Sequence, residues 1–249
     1  MACAWVLGSM GWMPSGGQQT ACVLVELGDE LILLDAGTGV ANLSLCEPVL
    51  ERHERMTILL SHYHLDHVAG LMYLKRFAAS MRVDVYGPGQ PVYPKSTQAY
   101  MADVLQRAVY SSGPNGFARE VHCHDYGGAD FAVGDVDVRV RPQRHSAPSF
   151  ELRLGDALTY ATDTSFDALA WAAYPSTKVL LHECWQGGDG DPRHTSVEAL
   201  VAGVPTATFD RVVLVHQNPA WDACGHDHIA RLAATRGFEL AYDGMRLEL

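Results

Sequence analysis

Positive charge is scarce in this chain. Eighteen lysines and arginines face 29 aspartates and glutamates over 249 residues, a formal net charge of −11. The acidic residues are spread along the length, so no broad basic face for nucleic acid is expected, although a local patch can form. Long apolar runs are missing too. None approaches the ~20 residues needed to span a bilayer, which argues against a membrane role. No basic region precedes the short apolar stretch at the N-terminus, so no secretory signal is expected. The six cysteines, Cys3, Cys22, Cys46, Cys123, Cys184 and Cys224, are scattered, with no CxxC pair. They read as reduced thiols of a cytoplasmic protein. The glycine-rich stretch at residues 8–17 lacks both GxGxxG and GxxxxGK[ST], and no nucleotide loop is assigned to it.

Histidine, by contrast, is plentiful, with twelve residues. Positions 62–67 read His62-Tyr63-His64-Leu65-Asp66-His67, four metal-ligand side chains in six positions. A lone histidine is usually a surface or packed core residue. Four ligand types this close are much harder to explain that way. An apolar, partly β-branched run of strand length precedes the cluster at 56–60, and apolar residues at helical spacing follow at 68–74. The cluster is therefore expected on a short strand-to-helix turn. Imidazole and carboxylate together suit zinc, and also manganese or iron. His62 and His64, two apart, can grip one ion. Asp66 and His67, further round the turn, can grip a second.

Nearly half the residues are apolar (48%), enough for a sizeable core. Other strands are expected at 4–7, 22–27, 30–35, 82–87, 118–124, 131–142, 150–154, 157–161, 179–182 and 211–216, with 239–247 closing the chain. Helices are expected at 42–54, 97–110, 196–202 and 226–236. Thr195 and Glu198 have capping-box spacing at the third of these. Gly28-Asp29 and Gly155-Asp156 carry hairpin chemistry. Residues 88–118, rich in Pro, Gly, Ser and Tyr, read as a lid or partner surface. No linker composition and no 20–50-residue repeat divides the chain, so one domain over 1–249 is expected. The pattern suits two sheets packed face to face with helices outside.

Further candidate ligands stand at the ends of apolar strands. These are His145 after 138–142, Asp163 after 158–161, and His216 after 212–215. The set then holds five histidines and two aspartates, and Asp163 can bridge two ions roughly 3.5–4 Å apart. With this order of residues the chain resembles the metallo-β-lactamase superfamily. The likeness rests on HxHxDH at 62–67 and on His145, Asp163 and His216, and it covers nearly the whole chain. The segments Leu33-Leu34-Asp35-Ala36-Gly37 and Tyr242-Asp243-Gly244-Met245 share it. It implies an α/β fold, a four-layer αββα sandwich of two mixed sheets. It also implies two divalent metal ions, zinc foremost. His62, His64 and His145 would hold one, Asp66, His67 and His216 the other, with Asp163 between. A water or hydroxide shared by the ions would attack, and Asp66 could orient it.

A narrower likeness follows. Leu180-Leu181-His182-Glu183-Cys184 and His194-Thr195-Ser196 look like two segments of the tRNase Z branch. There the histidine, paired with the glutamate, faces the scissile phosphate and aids departure of the leaving group. By position those residues are His194 and Glu183. A carboxylate can hold an imidazole in one orientation and raise its pKa, so that it donates a proton. The blander alternative makes Glu183 a group that supports the ligands or caps a helix, and His194 a surface turn residue. Only 17 residues separate His145 from Asp163, too few for the long arm with which such enzymes commonly grip transfer RNA. Stable nucleic-acid binding is therefore not expected. A small or cyclic phosphodiester of nucleotide type is the expected substrate, and the family likeness implies a homodimer. The rival readings are transfer-RNA 3′ processing, an acyl hydrolase acting on thioesters or lactones, and a metal-binding regulatory protein without turnover.

Other candidates read as structural. His122 and His124 share a strand face but lack a following Asp-His pair. His226 and His228 fall at a helix start, and His53 lies in a charged, exposed helix end. His182 packs or supports the site. Trp5, Trp171 and Trp221 read as packing, whereas Trp12 and Trp185 lie in loops near the edges of the expected site.

Overall fold

A computed structural model describes residues 2–106, 110–167, 176–186 and 192–249. The strands are β1 (Cys3–Gly8), β2 (Cys22–Leu27), β3 (Glu30–Leu34), β4 (Arg55–Leu59), β5 (Arg82–Gly87), β6 (Glu120–Asp125) and β7 (Phe131–Val133). They continue as β8 (Val136–Gln143), β9 (Ser149–Leu154), β10 (Leu158–Ala161), β11 (Thr177–Glu183), β12 (Phe209–Val215), β13 (Glu239–Leu240) and β14 (Met245–Glu248). Two seven-stranded sheets result, in the orders β14-β1-β2-β3-β4-β5-β6 and β13-β12-β11-β10-β9-β8-β7. Both are mixed. The first is antiparallel from β14 to β3 and parallel from β3 to β6. The second is antiparallel from β7 to β10 and parallel from β10 to β13.

Three apolar layers hold the sheets and helices together. Alternate strand residues such as Val23, Val25, Ile32 and Leu34 meet Leu152, Leu154, Tyr160 and Val213 between the sheets. Their in-between neighbours Leu24, Leu31, Leu33 and Ile58 turn outward and pack with Leu43, Leu71 and Phe117. On the far side Leu180, Val212 and Leu214 pack with Leu200, Ile229 and Ala233. Parallel strands sandwiched this way are apolar on both faces, which is why they read as continuous runs. Cutting one such leucine to alanine costs about 2–5 kcal/mol. The architecture is the expected αββα sandwich.

The helices are α1 (Glu47–Leu50), α2 (Leu65–Val68), α3 (Lys75–Ala78), α4 (Thr97–Val104), α5 (Val197–Gly203) and α6 (Ala223–Ala234). Several differ from expectation. Residues 42–54 are largely not α-helical: a 3₁₀ segment, Thr38–Cys46, runs into the single turn of α1 at Pro48. α4 ends at Val104, and 107–109 fall outside the described residues, as does Trp171. The expected strand 131–142 is a hairpin, split by Gly134 at φ +53° between the paired Val133 and Val136. The closing strand is two short ones in different sheets. α5 is capped by Ser196, whose hydroxyl accepts from the Ala199 N–H, while the Thr195 hydroxyl donates to the Thr164 carbonyl. α6 starts three residues early because Asp222 caps it. No helix among the described residues is long and apolar enough to cross a membrane. All six cysteines are free.

One buried charge makes stability depend on pH. Glu151 on β9 is 2% exposed and accepts from Arg141 at 2.9 Å. Burial outweighs the attraction of Arg141 and pushes the carboxyl up to about 7. The folded protein therefore keeps this proton where the unfolded chain, near 4.5, has released it. Stability attributable to Glu151 is highest below about 4.5 and falls as pH rises toward 7. Relative to wild type, Glu151→Gln is expected to gain up to about 3 kcal/mol between pH 5 and pH 8. Thermal unfolding of both proteins at the two pH values checks this. An unchanged difference in Tm would contradict it.

Candidate metal centre

The expected ligands arrive from both sheets at the same end. β4 leads through Ser61 into His62 and His64, and the HxHxDH run continues into α2, whose first turn carries Asp66 and His67. Asp163 follows β10, Glu183 ends β11, and His216 follows β12. His145 sits in the β8–β9 turn. All but His145 thus lie at or beyond the C-terminal ends of parallel strands, where α/β sheets commonly build sites.

The seven candidates fall into two sets around Asp163. His62, His64, His145 and Asp163 offer ligand atoms within 4.8 Å of one another, as do Asp66, His67 and His216. Asp163 turns one oxygen to each set. Oδ1 lies 3.3 Å from His145 Nε2 and 3.9 Å from His62 Nε2. Oδ2 lies 3.0 Å from His67 Nε2 and 3.1 Å from His216 Nε2. A third grouping joins Asp163, His194 and His216. Glu183 Oε2 pairs with His194 Nδ1 at 2.7 Å, and its other oxygen accepts the Thr164 N–H. His194 is therefore not a surface turn residue.

Four non-glycine residues among those described have positive φ. They are Trp12 (59°), Asp35 (53°), Asp163 (53°) and His216 (49°). Such backbones cost of order 1–3 kcal/mol and collect at functional sites. Asp163 and His216 belong to the constellation itself. Asp35 and Trp12 support it, and neither support was foreseen. Asp35, fully buried after β3, accepts from Ser61 N–H and from Ser61 Oγ, each at 2.8 Å. It also accepts from His67 Nδ1 at 2.8 Å and from Tyr160 Oη at 2.9 Å. The Trp12 N–H donates to Asp66 Oδ2 at 2.7 Å. Gly11 beside it must be glycine, since a Cβ would lie 2.4 Å from the His216 ring.

Do these groups fit metal ions? The Ser61 hydroxyl proton goes to Asp35, so its oxygen accepts from His62 Nδ1 (3.0 Å). His62 Nε2 is then a bare lone pair, buried without a hydrogen-bond partner and aimed into the centre. Burial lowers the pKa of His62 and His64, and that of His145 to about 4, favouring the neutral imidazoles a metal requires. Burial also opposes charge on His67 and His216. There the carboxylates of Asp66 and Asp163 win and raise both. The second half of the site thus favours positive charge, which a divalent cation would supply. The residues fit a pair of such ions.

The decoys stay apart. His122 pairs with Glu120 and His124 with Asp84 on the edge strand β6. His53 is less exposed than expected, because Glu26 holds it at 3.0 Å. His182 is buried, its Nδ1 2.8 Å from the Glu183 carbonyl.

Comparison with known proteins places this geometry. The family model described as Anti-Pycsar protein Apyc1 matches residues 15–235. The chain belongs to this family. It is also a member of the metallo-β-lactamase superfamily, on the tRNase Z-like branch. It is 30% identical over 151 residues to a ribonuclease Z of Methanopyrus kandleri, covering 59% of this chain. The match spans about half of that relative (48%). Ribonuclease Z of Mycobacterium marinum is 26% identical, with 98% of this chain and 97% of the relative covered. Among solved structures, a diphosphatase of the PhnP family superposes with TM-score 0.77 at 18% identity, covering 100% of this chain and 98% of the other. At that identity the likeness is one of fold.

The support by Asp35 can be measured. Asn at this position cannot accept from all four donors. Asp35→Asn is expected to weaken zinc binding about 10–100-fold. It should also cost about 2–4 kcal/mol of stability. Tyr160→Phe, which removes one donor, should cost about 1 kcal/mol. Competition with a chromophoric chelator and thermal melts read both. Undiminished zinc affinity in Asp35→Asn would refute the role.

Proposed function

We propose that this chain is a dinuclear metal-dependent phosphodiesterase acting on a small or cyclic phosphodiester of nucleotide type. The observation that carries the reading is Asp163, whose two oxygens face two ligand sets, with the Glu183–His194 pair beside them. His62, His64 and His145 would hold one ion, Asp66, His67 and His216 the other, and Asp163 both. Zinc is the first choice, with manganese or iron as substitutes. When bound, the pair supplies charge for the phosphoryl oxygens and a water acidic enough to attack at neutral pH.

The chain's own groups do the rest. Glu183 fixes the His194 ring through Nδ1, which leaves Nε2 as the atom that protonates the departing oxygen. Asp66, tied by the Trp12 N–H, is held in one orientation. Deep burial of His62, His67 and His216 keeps bulk water from competing for the same positions. An acyl hydrolase has less need of the Glu183–His194 pair, since good acyl leaving groups need no acid.

Transfer-RNA 3′ processing is the second reading, favoured by the relatives named ribonuclease Z. The segment between His145 and Asp163 weighs against it. It holds only the β9–β10 hairpin, where an arm would otherwise stand. The family's description, an anti-Pycsar protein, is carried to this chain on the same terms. We also take the chain to be a cytoplasmic homodimer of single-domain subunits.

Zinc- or manganese-loaded protein should hydrolyse bis-p-nitrophenyl phosphate, and His64→Ala should abolish this. His194→Ala should slow esters of poor leaving groups more than esters of good ones, because acid assistance matters most for the poor ones. A comparison of kcat across a leaving-group series decides it. Equal losses throughout would remove His194 from proton transfer. Cleavage of precursor transfer RNA in preference to every small ester would favour the second reading.

A further inference from the structure

We propose that Trp12 selects the substrate at this site, offering a flat apolar face against which a planar ring carried by the phosphodiester lies. The inference rests on the phosphodiesterase reading and adds what the ester must carry.

Trp12 is 68% exposed, so the core makes little use of its ring. Its backbone, at φ +59°, is one that glycine or asparagine adopts more easily than a bulky residue. The largest side chain therefore stands where neither packing nor backbone geometry calls for it. Its root is fixed beside the centre. The Trp12 N–H donates to Asp66 Oδ2 at 2.7 Å, and that oxygen lies 3.3 Å from His216 Nε2. The loop cannot withdraw, because the Gly11 N–H donates to the Gln217 carbonyl and Gly11 sits directly on the His216 ring. Met13 (48% exposed) and Leu65 (72%), which adjoin Trp12 and Asp66 in sequence, add apolar surface to this rim. Trp185, its ring centroid 5.5 Å from that of His216, is engaged otherwise. It stacks on His194, ring centroids 4.7 Å apart and planes 20° from parallel. The centre would take the phosphate, and among the described residues Trp12 is the indole left exposed for a ring.

The test uses the full metal-loaded chain and two cyclic esters: a purine nucleoside 3′,5′-cyclic monophosphate, and the same cyclic ribose phosphate with a methoxy group in place of the base. Trp12→Ala should lower the ratio of their kcat/KM values by about 5- to 150-fold, the range for loss of one base–aromatic stack. Trp12→Phe should restore most of it. Equilibrium dialysis supplies a readout free of turnover. Binding of a purine nucleoside 5′-monophosphate should weaken by a similar factor in Trp12→Ala, and binding of ribose 5-phosphate should not. An unchanged ratio, or equal losses for both esters, would overturn the proposal. So would a shift in sedimentation mass with selectivity intact, which would assign Trp12 to self-association. If the wild-type protein cleaves neither these esters nor bis-p-nitrophenyl phosphate, the phosphodiesterase reading fails. Dialysis then decides alone: ring binding that depends on Trp12 supports the proposal, and its absence ends it.

Discussion

Everything at this centre hangs from the carboxylate of Asp35. It is buried, it lies outside both ligand sets, and four donors converge on it. Two of those bonds set the protons of candidate ligands. Because the Ser61 hydroxyl spends its proton on Asp35, Ser61 can only accept from His62, and the His62 lone pair is forced inward. Because His67 Nδ1 donates to Asp35, the His67 lone pair is forced inward as well. One residue therefore fixes the tautomer of one imidazole in each half of the centre. The fourth bond comes from Tyr160 of the opposite sheet. The packing of the two sheets and the readiness of the ligands are thus one constraint.

Strain is concentrated where that constraint acts. Asp35, Asp163 and His216 each leave a strand end in the left-handed region, and their side chains meet at the candidate centre, Asp35 on His67 and Asp163 on His216. No single contact offsets such a cost. Apolar layers on both faces of the parallel strands do, because a strand locked in register leaves its last residue no easier path. Gly11 shows the same crowding from outside, where the loop after β1 is pressed so close that a methyl group would strike His216.

Legibility in the sequence followed distance along the chain. The run at 62–67 is legible because four candidate ligands fall within six positions on one turn. His145, Asp163 and His216 were readable because each ends a strongly apolar strand. The support given by Asp35 is not legible there, since its partners lie 26, 32 and 125 positions away and the segment 33–37, though family-like, does not name them. The local errors have local causes. The segment before β4, expected as one helix over 42–54, is instead a 3₁₀ run, Thr38–Cys46, followed by the single turn of α1 with Pro48 near its start, where proline fits a helix only in its first turn. The strand through 131–142 alternates correctly on both sides of Gly134, and only the turn geometry reveals the hairpin. At α5 two adjacent hydroxyls competed for the cap. Ser196 took it because Thr195 was already tied to Thr164.

Electrostatics sets the scale of what can enter. With a net charge of −11, the protein repels polyanions over distances comparable to the Debye length. That penalty grows with each phosphate brought near the surface. A transfer RNA meets it many times over, with no basic arm between His145 and Asp163 to offset it, whereas a small diester meets it once. The attraction proposed for an anion is local, at the centre, where the two divalent ions would supply the positive charge. On the proposed reading, long-range repulsion of this kind weighs against a long substrate more than against a short one.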